Sequence, residues 1–559
     1  MPVSPNARRI IDSAYYSAND RYPWLALLLL LLSATAYFFW GNAGYLADQL
    51  RVQQDAVQHF LWLYDGAWGA DFYARASGVI QPWGYKAVVA LMGQFTDPLT
   101  VSRYGPLLLV WLTVSLSFGI LRQFYPLLYA AAGALLVNHF GMKIMVGFLA
   151  HAWCVPVLLG YGYALVVVRK PWATGLALVL SALIYPPALL VNAGISGCWV
   201  LWRTIQRPKL LLTHWPLVVG LLAAVGIAGL QSWYVQRAPQ IGPLFDQESL
   251  LSMPEFRGGG RVNFRSMATQ ASDRYFRFFF HKYLPLADGR WFAWLVVVTF
   301  AVTSWINYRK LGRLSFWLAA WVVSTVLLFI VAKPLIPLLF IPDRYVDYPW
   351  LPLAPLLVIV CTGWFVLKWS RRWVTGLASA AILAYGLHYR HPTTLPYVAA
   401  KHDRELYTAV AALPDTVTVA GPPTIMSQVP MLSRRSVVVT QEAAHALYFR
   451  RYYDYVTPRL EDQLIAYTAP ADSMERVVEF ADKYGIDHFI VSPKHLNGGK
   501  SYAFEPHNQR YAAAVRDRSP KDFALLTIPQ EHRRWLRDSS YFMVSTSTIR
   551  SLAATASED

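Results

Sequence analysis

Cysteine is nearly absent from this chain: there are three in 559 residues, Cys154, Cys198 and Cys361, each inside an apolar run. That excludes a disulfide framework and a cysteine-rich zinc site, and leaves buried packing as the role of all three. Nucleotide-binding motifs are missing as well, with no Asp-x-Asp, P-loop or Gly-x-Gly-x-x-Gly anywhere. Acidic residues are scarce where apolar ones are dense. Residues 1–390 hold 14 Asp and Glu against 31 Lys and Arg, whereas residues 391–559 hold 19 of each sign. The net charge of +17 (31 − 14) therefore sits wholly in the first part. There, apolar runs of membrane-spanning length alternate with short basic clusters, which marks a multi-pass membrane protein and not a nucleic-acid binder. A hydrophobic fraction of 55% excludes a soluble enzyme, a collagenous chain and a disordered one.

The apolar spans lie near residues 23–41, 104–121, 126–142, 148–168, 172–184, 186–202, 215–236, 291–307, 315–333, 351–369 and 374–389, about eleven helices. Basic residues in short loops stay cytoplasmic. The clusters Arg8/Arg9/Arg21, Arg122, Arg169/Lys170, Arg203/Arg207/Lys209, Arg309/Lys310/Arg313 and Lys368/Arg371/Arg372 all fall on one side if the N-terminus is inside. Eleven spans then place residues 391–559 outside. The first span resembles a signal peptide up to Ala34-Thr35-Ala36, but Tyr37-Phe38-Phe39-Trp40 extends it to spanning length, so a retained anchor is expected. Twelve of the 14 acidic residues fall in predicted outer loops and none in mid-helix. A proton- or ion-coupled transporter needs ionisable groups near the bilayer midplane. Internal repeats are also lacking, so the chemistry is expected to face outward.

Two outer segments, 42–103 and 237–290, are too long for simple connectors. In the first, Leu46, Leu50, Val57, Phe60, Leu61 and Tyr64 share one helical face, while Asp48, Asp55 and His59 share the opposite one. Asp55 and His59 are one turn apart, close enough for the imidazole to orient the carboxylate. The pattern alone fits equally a solvated polar face on a surface helix. The second segment carries Arg257, Gly258-Gly259-Gly260, Arg261 and Arg265, a combination suited to a mobile cover or acceptor loop and equally to a plain loop. Residues 391–559 alternate helical and strand patterns, with helices over 403–413, 443–467 and 474–484 and strands over 417–420, 437–440 and 488–492. That predicts a small α/β domain, separate from a transmembrane domain over residues 1–390.

An Asp followed by Gln-His and an aromatic-apolar run, in the first outer loop after one N-terminal helix, resembles the GT-C superfamily of membrane glycosyltransferases. Three further features are similar to its bacterial members. They are the Tyr185-Pro186-Pro187 break within a helix pair, Ile341-Pro342-Asp343-Arg344-Tyr345 before a late helix, and Ser433-Arg434-Arg435-Ser436-Val437-Val438-Val439 in the outer domain. Tyr452-Tyr453-Asp454-Tyr455 is a poor match to the Trp-Trp-Asp signature of oligosaccharyltransferases. Many bacterial relatives carry an acidic pair before the Gln-His; here Gln54 replaces the first, so no metal or other cofactor is expected.

The resemblance implies sugar transfer from a polyprenyl-phosphate donor to a glycan, lipid or protein acceptor on the outer face of a bacterial inner membrane. Asp55 matches the first-loop catalytic Asp and is expected to act as general base, supported by His59, with Asp71 assisting or binding acceptor. Cations at headgroup depth must hold the departing phosphate, and the candidates are Arg344, Lys143 and Arg103. Two alternatives stay open: a non-enzymatic transporter or assembly subunit, and a ligase using a pyrophosphate-linked oligosaccharide.

Overall fold

The computed structural model describes residues 23–41, 72–145, 147–206, 214–269, 290–339, 341–369, 372–388, 404–441, 446–498, 501–536 and 540–556. Helices stand at all eleven expected places: α1 (Pro23–Gly41), α2 (Pro106–Arg122), α3 (Leu127–Met145), α4 (Cys154–Tyr163), α5 (Pro171–Ile184), α6 (Pro186–Gln206), α7 (Trp215–Arg237), α8 (Arg290–Ile306), α9 (Tyr308–Ala332), α10 (Trp350–Trp369) and α11 (Arg372–His388). Length separates them. Among the described residues, eight helices are long and apolar enough to cross a membrane, α4 qualifying once its flanking tight and wide turns (Ala150–Val168) are included. Helices α8 and α11 have 17 residues each and α5 has 14. At about 1.5 Å per residue, α5 reaches roughly 21 Å, short of a ~30 Å hydrocarbon core.

Helices α5 and α7 cross backbone to backbone. A Cβ on Gly220 would lie 2.3 Å from the Cα of Gly175, an approach that only glycine permits. The step from α5 to α6 is the Tyr185-Pro186-Pro187 break. Pro186 has no N–H, so the carbonyl of Ala182, four residues earlier, loses its helical donor. The side-chain amide of Gln231 in α7 donates to that carbonyl instead, at 3.0 Å. Its oxygen accepts the backbone N–H of Trp83 at 2.9 Å. That N–H opens the short helix Trp83–Gly93 and, as the first of the helix, has no partner within it. One buried side chain thus ties three segments together.

Residues 404–556 form α12 (Arg404–Ala411), β1 (Thr418–Ala420), β2 (Ser436–Val437), α13 (Arg450–Tyr467), α14 (Met474–Tyr484), β3 (His488–Val491), α15 (His507–Val515), β4 (Arg534–Leu536), β5 (Tyr541–Ser545) and α16 (Thr546–Ala556). The sheet order is β2-β1-β3-β5-β4. Strand β1 runs parallel to β2 and β3, and β5 antiparallel to β3 and β4. This is an α/β fold with two more strands than the sequence pattern predicts. Strand β2 is also shorter than the expected 437–440. In β5, Tyr541, Phe542, Met543 and Val544 are all buried, so the run has no alternation to betray it.

The core under this sheet is shared with the loops between membrane helices. Tyr73, Ala74, Phe256 and Phe264 are buried in one cluster with Phe489, Phe523 and Phe542. At the start of α15, His507 is fully buried and meets Phe504 edge to face at 5.4 Å. Burial pushes its imidazole pKa down to about 4.

Candidate functional site

Asp55, His59 and Asp71, with Asp48 on the same stripe, lie outside the described residues. The description resumes at Phe72, the residue after Asp71, in the short helix Phe72–Ile80. Its first two residues are held firmly. Phe72 stacks on Tyr455 at 3.5 Å and 12°, and the guanidinium of Arg459 sits 3.3 Å from the Tyr455 ring centroid. The Tyr73 hydroxyl donates to the carbonyl of Val438 at 2.9 Å. The Tyr452–Tyr455 run therefore serves packing: Tyr452 is buried, Tyr453 donates to Glu255 at 3.1 Å, and Tyr455 clamps Phe72.

Arg344 is the hub of the sheet-side end of the membrane helices. It follows a turn in which the N–H of Arg344 donates to the carbonyl of Ile341 at 3.0 Å and that of Asp347 to Asp343 at 2.7 Å. Its guanidinium lies 5.8 Å from the centroid of the Tyr348 ring, which stacks on His151 at 5.1 Å and 14°. It also interacts electrostatically with Tyr185 from the α5–α6 break and with Tyr448 from the sheet region. The Tyr185 hydroxyl is buried and faces this cation without reaching ordinary hydrogen-bond geometry to any described group. Burial pushes the Tyr448 phenol up to about 12, with Arg344 opposing the shift, so it stays protonated as a hydrogen-bond donor. A guanidinium set among phenols and an imidazole has the chemistry to bind an anionic oxygen. Two short motifs about 160 residues apart, Tyr-Pro-Pro and Pro-Asp-Arg-Tyr, meet here. The third, Ser433–Val439, serves the sheet: Arg435 donates to the carbonyls of Ala411 at 2.7 Å, Leu413 at 2.9 Å and Ser433 at 3.1 Å.

A second cationic centre escaped the sequence reading. A cavity of about 530 Å³ is lined by Arg75 of the Phe72–Ile80 helix, Lys86 of the Trp83–Gly93 helix and Arg237 at the end of α7. Trp233 and Tyr234 form its aromatic wall, with Arg237 stacked 4.6 Å over Trp233. No carboxylate lines it among the described residues. Burial holds the Lys86 ammonium below the usual lysine range. The two centres flank the Gln231 bridge, since Tyr185 is three residues beyond Ala182 and Lys86 three beyond Trp83. Three cations drawn from segments up to about 160 residues apart leave no local motif. The only signal available was that each is an isolated cation in a predicted outer region.

Of the other expected cations, Lys143 is half-buried in the last turn of α3, and Arg103 stands in the last turn of the short helix Pro98–Tyr104 with a buried Nε that has no partner among the described residues. Neither lines the cavity. Arg257 and Arg265 are exposed and Arg261 half-buried, in a loop packed on the sheet region. There, Arg257 donates to the carbonyl of Ser252 at 2.6 Å and Gly259 accepts from the N–H of Glu505 at 3.1 Å.

No protein-family model matches the chain, and no curated protein matches it in sequence. Solved structures do match. ArnT from Cupriavidus metallidurans, bound to undecaprenyl phosphate, aligns over 94% of this chain and 98% of its own at 12% identity, with a TM-score of 0.51. The apo oligosaccharyltransferase of Archaeoglobus fulgidus aligns over 86% of this chain and 70% of its own at 11% identity, with a TM-score of 0.45. The near end-to-end alignment with ArnT, over membrane helices and sheet region together, assigns the architecture: the chain shares the fold of this GT-C membrane glycosyltransferase.

Proposed function

We propose that this protein is a glycosyltransferase that moves a sugar from a polyprenyl-phosphate donor to an acceptor at the sheet-side face of the membrane. The carrying observation is the cavity at that face on which Arg75, Lys86 and Arg237 converge, beside the Arg344 centre. The structural neighbour's bound undecaprenyl phosphate supports the donor class.

The chemistry asks for two things. The acceptor hydroxyl attacks the anomeric carbon while a carboxylate takes its proton, and the bond from that carbon to the phosphate oxygen breaks with its electron pair. We assign the proton to Asp55, oriented by His59, with Asp71 positioning the acceptor next to the pinned Phe72. The donor is a phosphodiester with one negative charge, and the departing polyprenyl phosphate is a monoester approaching two. Cations therefore stabilise the transition state more than the bound donor, which is what raises turnover. Lys86, Arg75 and Arg237 take that role, and Arg344 backs them from the other side of the Gln231 bridge. Arg257, Arg261 and Arg265 border the acceptor side.

The test is transfer of labelled sugar from a panel of polyprenyl-phosphate sugars into membrane-extract acceptors by purified protein. Transfer is expected with at least one monophosphate donor and its loss with Asp55→Asn. Donor binding without transfer, in wild type and variant alike, would overturn the enzyme reading.

A further inference from the structure

The opposite face of the membrane region carries a feature that sugar transfer does not use. Helix α6 starts at the Tyr-Pro-Pro break, and Arg203 lies 17 residues along it, about 26 Å away at ~1.5 Å per residue. Its guanidinium is 5.1 Å from the centroid of Trp199 and 5.8 Å from that of Trp202. Trp202 in turn stacks on Phe316 of α9 at 4.7 Å and 18°. The Nε of Arg203 is buried with no partner among the described residues. Arg313, in the first turns of α9, lies within electrostatic reach of both Arg203 and Arg169. Arg169 is fixed by a left-handed backbone (φ 61°) and a 2.9 Å bond from Nε to the carbonyl of Val166. Among the described residues, none of the three arginines is paired with a carboxylate.

Cations that merely face the aqueous phase splay apart to reduce their repulsion. These three are gathered, and one sits over two tryptophan rings with its Nε donor buried. The same Trp202–Phe316 pair forms one wall of an apolar cavity of about 540 Å³ between α6, α8, α9 and α10. The cavity opens sideways toward the bilayer, since Trp305 on its rim is 86% exposed and Val323 45%. Two buried hydroxyls on its lining, Ser304 and Ser315, have no partner among the described residues.

We propose that this slot binds one anionic phospholipid, its phosphate on Arg203, Arg313 and Arg169 and an acyl chain in the cavity between α8 and α9. Charge complementarity selects the occupant: among the described residues the head end offers cations, with the Ser304 and Ser315 hydroxyls on the cavity lining, and the rest of that lining is chiefly apolar. A zwitterionic lipid brings its own ammonium into the arginine cluster and binds less well.

The full-length protein in detergent is titrated with palmitoyl-oleoyl phosphatidylglycerol and, separately, with the phosphatidylcholine of identical chains, with native mass spectrometry as readout. Phosphatidylglycerol is expected to bind at least tenfold more tightly. Arg203→Gln with Arg313→Gln should bring the two lipids within twofold, whereas the paired Arg→Lys variant keeps most of the preference. Ala319→Trp, on the cavity wall, should weaken both lipids severalfold. Inorganic phosphate at millimolar concentration should displace little phosphatidylglycerol, because it makes no tail contact. Equal affinity for the two lipids, a preference surviving in the double Gln variant, or full displacement by inorganic phosphate would each overturn the proposal. If the double variant fails to fold, Arg313→Gln alone decides by the same readout, a preference reduced at least threefold supporting the site and an unchanged one rejecting it.

Discussion

Replacing Lys86 with Met keeps the aliphatic stem and removes only the charge. In wild type that charge is half-buried on the Trp83–Gly93 helix, where desolvation already weighs against it. A phosphate in the cavity relieves that penalty and accepts a charge-assisted hydrogen bond, worth about 1.5–3 kcal/mol in other proteins. Donor or polyprenyl-phosphate affinity should therefore fall by roughly 10- to 150-fold. A Coulomb ceiling of ~4 kcal/mol for unit charges 4 Å apart at an effective dielectric of 20 rules out a much larger loss. The pH dependence sharpens the test. Because burial lowers the Lys86 pKa, the ammonium is fully charged below that value and deprotonates as pH rises through it. Affinity should then decline at a lower pH than an ordinary lysine would allow. Lys86→Arg stays charged and should move that decline upward. Isothermal titration with short-chain polyprenyl phosphate between pH 7 and 10.5 reads both effects. Wild-type affinity in Lys86→Met, or an identical alkaline limb in Lys86→Arg, would remove this cavity from the phosphate site.

Asp55→Asn should lower turnover by roughly 10²–10⁴ with donor affinity intact, His59→Ala less, and Asp48→Asn least, as measured by single-turnover transfer. If Asp71→Asn abolishes transfer while Asp55→Asn does not, the base is Asp71. Arg344→Ala should weaken polyprenyl-phosphate binding about tenfold or more and leave acceptor affinity nearly unchanged; unaltered donor binding would point to Lys143 instead. Gln231→Leu should lower stability by about 2–5 kcal/mol, because it strands the Ala182 carbonyl and the Trp83 N–H, and should show as a fall in Tm. His507 carries a pH prediction whose sign follows from its depressed pKa. The unfolded chain takes up a proton near pH 6.5 while the folded one waits until about 4. Stability is thus complete above pH 6.5 and declines toward pH 4 by up to about 3 kcal/mol. Thermal scans from pH 7 to 4 should show a shallower decline in His507→Phe.

The membrane helices were legible because length and apolarity suffice to mark them. The Pro-rich step at Tyr185 was legible for the same local reason. What stayed hidden was convergence. Lys86, Arg75 and Arg237 come together from three separate segments, two of them joined by Gln231, and no pattern in the chain announces that junction. Strand β5 was missed because a strand buried on both faces shows no period-two alternation, and β4 because three residues are too short to show a period. Arg344 was legible as a motif residue, but the Tyr185 and Tyr448 phenols around it come from two other segments. Tyr452–Tyr455 is a poor match to the oligosaccharyltransferase signature, and in the structure its side chains pack, Tyr455 against Phe72.

The bond from the Tyr73 hydroxyl to the carbonyl of Val438 joins residues 365 positions apart. A ribosome adding roughly 5–20 residues per second needs about 20–70 s to make the second partner after the first. For all of that time Tyr73, Phe256 and Phe264 have been synthesised without the sheet core that buries them. Newly made chains therefore pass through a long interval in which their apolar loops are open to chaperones, proteases and neighbouring copies. A chain released after α11 but before β3 keeps its membrane helices but never leaves that interval, so truncation there should be read out as degradation before it is read out as lost chemistry.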